Sequence, residues 1–218
     1  MMEVLRLSLV GGLLALDATS VGQFMISRPL VAGLLAGWVS GDPPLGLLIG
    51  ALLELYLLVS FPTGGARFPE GATATVVAVA TAAATDGVGA VPLAVALGLV
   101  WGQLGGFTIT WLRRLNGRLV PVPDGPHPEA VTWAHLGAVG LDFLRGVAVT
   151  ASGIVLGRVA VAAVVRAWPL GARGSMGLLL VGGAVSAGIF LRSLGGFRRR
   201  RLLFMGGVAL GILGARFL

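Results

Sequence analysis

A chain of 218 residues that is 56% hydrophobic and only 11% charged, with a mean hydropathy of +0.94, lacks the polar surface that a soluble domain of this size needs. Its apolar runs are long and unbroken rather than alternating, which argues for membrane-spanning helices and against a β-barrel. The net charge of +7 comes from arginine alone, since the chain has no lysine. In a membrane protein such an excess marks cytoplasmic loops rather than a nucleic-acid surface. The absence of cysteine excludes disulfides, thiol nucleophiles and cysteine-ligated metals.

The first apolar run, Val4 to Leu16, follows Glu3 and lacks both a basic leader and a small-residue cleavage site, so it reads as a retained span that extends through the polar patch Asp17–Gln23. Leu30–Ser40 is too short to cross a bilayer, and Gly41-Asp42-Pro43-Pro44 follows it. Leu45–Phe61 is barely long enough and ends at Pro62. Two short, proline-bounded segments joined by a turn are the pattern of a re-entrant hairpin or broken helix. Such backbone survives in a membrane only where protein or a water-filled cavity covers it, which makes this the physical pointer to a substrate site. Gly33, Gly37 and Gly41 are spaced by four, as are Gly46 and Gly50, a pattern that mainly serves close helix packing.

Ala72–Thr85 is rich in alanine and threonine, and Asp86-Gly87 forms a turn. Val88–Leu112 is the next span, with a bend expected at Pro92. The basic cluster Arg113-Arg114 with Arg118 precedes the proline-rich segment 121–128, the expected loop between two halves. Glu129–Val165 is a long apolar stretch carrying Asp142, Arg145 and Arg158, and the spacing of three lets Asp142 and Arg145 pair on one helix face. Arg166–Gly174 is a loop, Ser175–Leu191 spans again, Phe197–Arg201 is a second basic cluster, and Leu202–Leu218 is a last apolar segment. Both clusters belong on the cytoplasmic side, and Leu136–Val165 with Ser175–Leu191 supplies the two crossings between them. The same rule puts the C-terminus outside.

Three pieces now stand in one order: Leu16-Asp17, Gln23 and Arg28-Pro29; then SGDPPLGLLIGALLELYLL from Ser40; then PTGGARFPEGATATV from Pro62. Together they resemble the membrane component IIC of the mannose/fructose/sorbose-type sugar phosphotransferase system. The likeness is close over about the first third of the chain and continues as hydropathy beyond it. It implies a bacterial inner-membrane, multi-pass permease subunit that imports a hexose-type sugar. It further implies a IID membrane partner sharing the cavity, a trimer of IIC–IID pairs, and a cytoplasmic IIAB component that phosphorylates the sugar with phosphate from phosphoenolpyruvate. The phosphoryl transfer would belong to those partners, leaving this chain no catalytic residue.

Charge inside a bilayer costs roughly 2.5–3.5 kcal/mol on insertion scales, so intramembrane acids face a cavity or a partner. Paired sugar hydroxyls suit carboxylates and amides. Asp17, Gln23, Glu54 and Glu70 supply those groups, and Glu54, inside GALLELYLL with no basic neighbour in sequence, is the foremost candidate. Asp17 competes with a role as a cap, and Glu70 with a solvated turn. Arg28 reads either as an interface anchor or as an ion-pair partner for Asp17 or Glu54, and the resemblance borders it on the substrate chamber. Gly41-Asp42 reads as a turn or cap. His127 and His135, eight apart near prolines, match no metal motif, the resemblance implies that phosphoryl carriage belongs to separate components, and both read as loop residues. No cofactor or metal is expected.

The expected architecture is therefore an all-α bundle. Residues 1–112 form an N-terminal membrane half holding the hairpin and the site, 113–135 a cytoplasmic connection, and 136–218 a C-terminal half. The expected mechanism is alternating access, with the hairpin-bearing core moving against a scaffold. Two other readings are a proton-coupled secondary transporter using Glu54 and a non-transporting membrane scaffold.

Overall fold

The computed structural model describes residues 1–60, 66–119 and 128–214. Among these residues there is no β-strand. The helices are α1 (Met2–Thr19), α2 (Pro29–Ser40), α3 (Pro43–Tyr56), α4 (Gly71–Ala83), α5 (Ala90–Leu119), α6 (Pro128–Val164), α7 (Ala172–Ser193) and α8 (Gly196–Gly214), with a 3-10 turn at Val165–Ala167. Three stretches are long and apolar enough to cross a membrane: Ala90–Arg118, Glu129–Ala167 and Ala172–Ser193. The chain is an all-helical, multi-pass membrane protein.

Helix α4 is the hub. It packs against α1, α2, α3, α5 and α6, and every residue from Ala72 to Ala82 is buried. No side chain on that stretch is larger than valine, so neighbouring helices approach from all sides. At 13 residues α4 is only about 20 Å long, short of a hydrocarbon core of about 30 Å.

The α2–α3 hairpin is built from glycine. Gly41 adopts φ 83°, which closes the turn, and the Asp42 carboxylate then accepts the Leu45 N–H at 3.0 Å to cap α3. Pro43 follows at the first helical position, where its missing N–H costs nothing. A Cβ placed on Gly33 would lie 2.7 Å from the Gly50 Cα, and one on Gly37 2.8 Å from the Gly46 Cα. The two backbones are thus in direct contact, and the spacing-four pattern is a packing seam. The same device joins α1 to α6, where a Cβ on Gly12 would meet Val147 at 2.6 Å and one on Gly146 would meet Ala15 at 2.6 Å.

Several boundaries differ from the sequence reading. Helix α1 carries through Asp17–Thr19 and stops there, so the span extends into the first part of the polar patch and only residues 20–23 form a non-helical link. The second hairpin arm ends at Tyr56, short of Phe61, which lies outside the described residues. No bend at Pro92 is needed, because α5 begins at Ala90 and proline falls in its first turn, before the hydrogen-bond ladder requires its N–H. Helix enters the 113–135 connection from both ends. Arg113, Arg114 and Arg118 ride on the last turns of α5, and His135 lies exposed on α6 instead of in a loop. His127 and the prolines before Pro128 lie outside the described residues.

The seam gives a direct test. Gly46→Val must force α2 off α3 and should cost about 1–3 kcal/mol or more of stability in detergent. Gly117→Ala, with nothing near its added methyl, should be neutral or slightly stabilising. Thermal unfolding of the two purified variants measures both.

Candidate functional site

The residues nominated by sequence fall into two charged clusters and one loop. In the hairpin, Arg28 stands just before α2 and Glu54 on the last turns of α3. The antiparallel packing brings them together: the Arg28 Nε donates to Glu54 Oε1 at 2.8 Å, and an Nη of the same guanidinium donates to that oxygen. The Leu30 N–H donates to Glu54 Oε2 at 3.3 Å, so the carboxylate also faces the positive end of α2. Glu54 therefore has the cation that its own sequence neighbourhood lacks. Both side chains keep partial exposure, 24% for Arg28 and 21% for Glu54.

The second cluster is buried. Arg145, on α6, donates to both oxygens of Glu70, from Nη2 to Oε1 at 2.7 Å and from Nη1 to Oε2 at 2.9 Å. Its Nε donates to Asp142 Oδ1 at 2.9 Å, and Nη1 also reaches the Thr108 hydroxyl of α5 at 3.1 Å. The Thr73 hydroxyl donates to Glu70 Oε2 at 2.9 Å. Asp142 Oδ2 accepts from the hydroxyls of Thr19 and Ser20 at the end of α1. Side-chain exposure is 7% for Arg145, 0% for Glu70 and 1% for Asp142. Glu70 is thus no solvated turn residue.

Local sequence explains how Glu70 enters the interior. Pro69 and Gly71 flank it, and its N–H donates to the Gly102 carbonyl of α5 at 2.8 Å, docking an extended segment on that helix. Gly105 provides the space, since a Cβ there would come within 2.9 Å of the Glu70 Cβ. A carboxylate offers about four acceptor positions. Among the described residues Arg145 and Thr73 occupy three on Glu70, which leaves one on Oε1.

Asp17 holds the link between α1 and α2. Its Oδ1 accepts the Phe24 N–H at 2.6 Å and its Oδ2 the Ser27 N–H at 2.8 Å. On either side of Phe24, Gln23 (φ 54°) and Met25 (φ 65°) sit in the left-handed region, at a cost of about 1–2 kcal/mol each. The Gln23 side chain is exposed.

Ala18, Ser27, Arg28, Leu57, Phe68 and Glu70 are among the residues lining a cavity of about 70 Å³ where the α1–α2 link, the hairpin and the start of α4 meet. Of the five nominated residues, Arg28 and Glu70 line it directly. Glu54 and Asp17 brace the wall, and Gln23 lies away from it. Sequence reading missed Arg145 as the partner of Glu70. The available signal was an arginine inside an apolar run with one acid nearby, since intramembrane cations are seldom idle.

Short apolar helices, a glycine seam and ion pairs held within the helices define this as a helical membrane bundle. The family model described as the sorbose-specific IIC component of the phosphotransferase system matches residues 1–196, and the chain belongs to that family. Mannose-specific EIIC components of Escherichia coli K12 and Shigella flexneri are each 28% identical over 125 residues, 56% of this chain and 47% of theirs. The chain thus matches over about half the length of those curated relatives. A solved membrane protein aligns over 100% of this chain and 93% of its own at a TM-score of 0.75 and 19% identity. A chain from the cryo-EM structure of the mannose transporter ManYZ with microcin E492 aligns over 99% and 92% at 0.52 and 20%. These two likenesses concern the fold. Family and helices together put the protein in the inner membrane as a multi-pass component.

Replacing Asp17 by Ala removes the charged acceptor of two N–H groups in the link, those of Phe24 and Ser27. It should lower stability by about 1–3 kcal/mol. Hydrogen exchange at Phe24 and Ser27 should accelerate by roughly tenfold or more, with α6 amides unchanged.

Proposed function

We propose that this chain is a sugar-translocating IIC permease subunit, importing a hexose-type sugar that a partner IIAB phosphorylates as it emerges. The observation that carries the reading is that Arg28 and Glu70, from separate broken-helix segments, line one cavity inside a bundle of this family. Once the cavity opens around the buried carboxylate, Glu70 offers its remaining acceptor position to a sugar hydroxyl, Arg28 contributes donors from the hairpin, and Glu54 and Asp17 hold Arg28 and the link in register. Gln23 reaches the sugar only if the link rearranges in the transport cycle.

At about 70 Å³ the cavity is well below the roughly 300–1,000 Å³ usual for small-molecule sites. This supports a site that opens during transport or is completed by a second subunit, in keeping with a IID partner and assembly as a trimer of IIC–IID pairs. Movement of the glycine-seamed hairpin against the α5–α6 frame would supply alternating access. The proton-coupled alternative loses ground because both candidate carboxyls, Glu54 and Glu70, already hold guanidinium partners.

Uptake into sealed vesicles containing the chain with IID, with and without phosphorylated IIAB, tests the proposal. Sugar phosphate should accumulate only when IIAB is present, and Glu70→Gln should reduce it by roughly 10–100-fold, the loss of one charge-assisted hydrogen bond. Free-sugar uptake driven by a proton gradient without IIAB would overturn it.

A further inference from the structure

From Phe143 to Leu218 the chain contains ten arginines and no aspartate or glutamate. Arg145 and Arg158 do find acids, Arg145 with Asp142 on its own helix and Glu70 before α4, and Arg158 with Glu3 of α1 at 2.8 Å. Three arginines at the start of α8 show no such partner among the described residues. Arg198, Arg200 and Arg201 are exposed and make no ion pair among the described residues. They also crowd a helix N-terminus, whose partial positive charge already repels cations. An anion from outside the chain would relieve both conditions.

The surface beside them is apolar. Helix α8 packs on α7, and Leu202, Leu203 and Met205 are 80%, 70% and 62% exposed. Between α7, α8 and the segment after α3 lies a cavity of about 840 Å³, lined by Leu58, Phe190, Leu194, Leu203 and Phe204 among others, with Arg200 the one charged lining residue among the described residues. Arg200 is also where the helix breaks, at φ −120° and ψ 16°. The family model ends at residue 196, so the cationic half of this feature lies beyond the shared stretch.

We propose that the α7–α8 groove binds an anionic phospholipid, its acyl chain in the cavity and its phosphate headgroup on Arg198, Arg200 and Arg201. An acidic soluble segment would answer the charges and leave the apolar cavity unfilled. A neutral membrane helix would fill the cavity and leave the charges unmet. An anionic amphiphile does both, and the bilayer supplies it in excess.

The full chain, purified in a neutral detergent, is offered equal amounts of phosphatidylglycerol and phosphatidylcholine with identical acyl chains, and retained lipid is read by native mass spectrometry. Phosphatidylglycerol should be retained about tenfold or more in preference, since each surface cation contributes roughly fivefold. Substituting Arg198, Arg200 and Arg201 by Gln should bring the ratio near one, whereas Ala187→Trp, which fills the cavity, should reduce retention of both lipids. Equal retention by the unaltered chain overturns the proposal without recourse to any variant. So does a preference that survives the triple substitution, or displacement of the retained lipid by a poly-glutamate peptide added to the same mixture.

Discussion

Arg145 holds two carboxylates at once, and the arrangement of the helices around the cavity depends on that contact. Through Glu70 it ties the start of α4 to α6, through Asp142 it reaches the end of α1, and through Thr108 it engages α5. Removing charges from water is expensive, and their attraction repays that only when geometry is good and remaining lone pairs are satisfied. Here the guanidinium meets one carboxylate with two parallel donors, and three hydroxyls take up much of what remains. Loss of the arginine would strand two buried acids against each other. The network is thus a poor source of net stability and a strong specifier of one arrangement, a role proposed here for this protein.

The glycines make this possible at a distance. Ionic contacts between four helices require their backbones to approach closely, and bilayer lipid provides no hydrophobic force to drive that approach. Gly12 and Gly146 bring α1 against α6, which places Thr19 and Ser20 over Asp142. Gly105 opens the space into which Glu70 turns. On the other side of the cavity, Gly33, Gly37, Gly46 and Gly50 let the hairpin fold flat enough for Arg28 to meet Glu54. One residue from each charged cluster then lies along the same cavity, the seamed hairpin contributing Arg28 and the buried network Glu70.

Much of this was legible before the structure. Hydropathy and the unbroken apolar runs gave the helical membrane class. Proline and glycine at 41–44 gave the hairpin, and the glycine spacing gave its seam. The pairing of Asp142 with Arg145 followed from their separation of three. The assignment of Glu70 to Arg145 did not, because 75 residues separate them and periodicity carries no information about which distant helices touch. Arg28 was a candidate partner for either Asp17 or Glu54, and sequence could not choose between them, since the choice depends on how the hairpin folds back across 26 residues. Pro92 was misread as a kink because a proline two residues into a helix and one in its middle look alike until the helix start is known.

A double-mutant cycle between Glu70→Gln and Arg145→Gln, read by denaturant unfolding of the purified chain, tests the central claim most directly. If the pair organises the bundle, the double variant should be less damaged than the sum of the single variants, by more than about 1 kcal/mol. Additive losses, agreeing within about 0.5 kcal/mol, would mean that the two residues act independently and that the helices are held in place by other contacts.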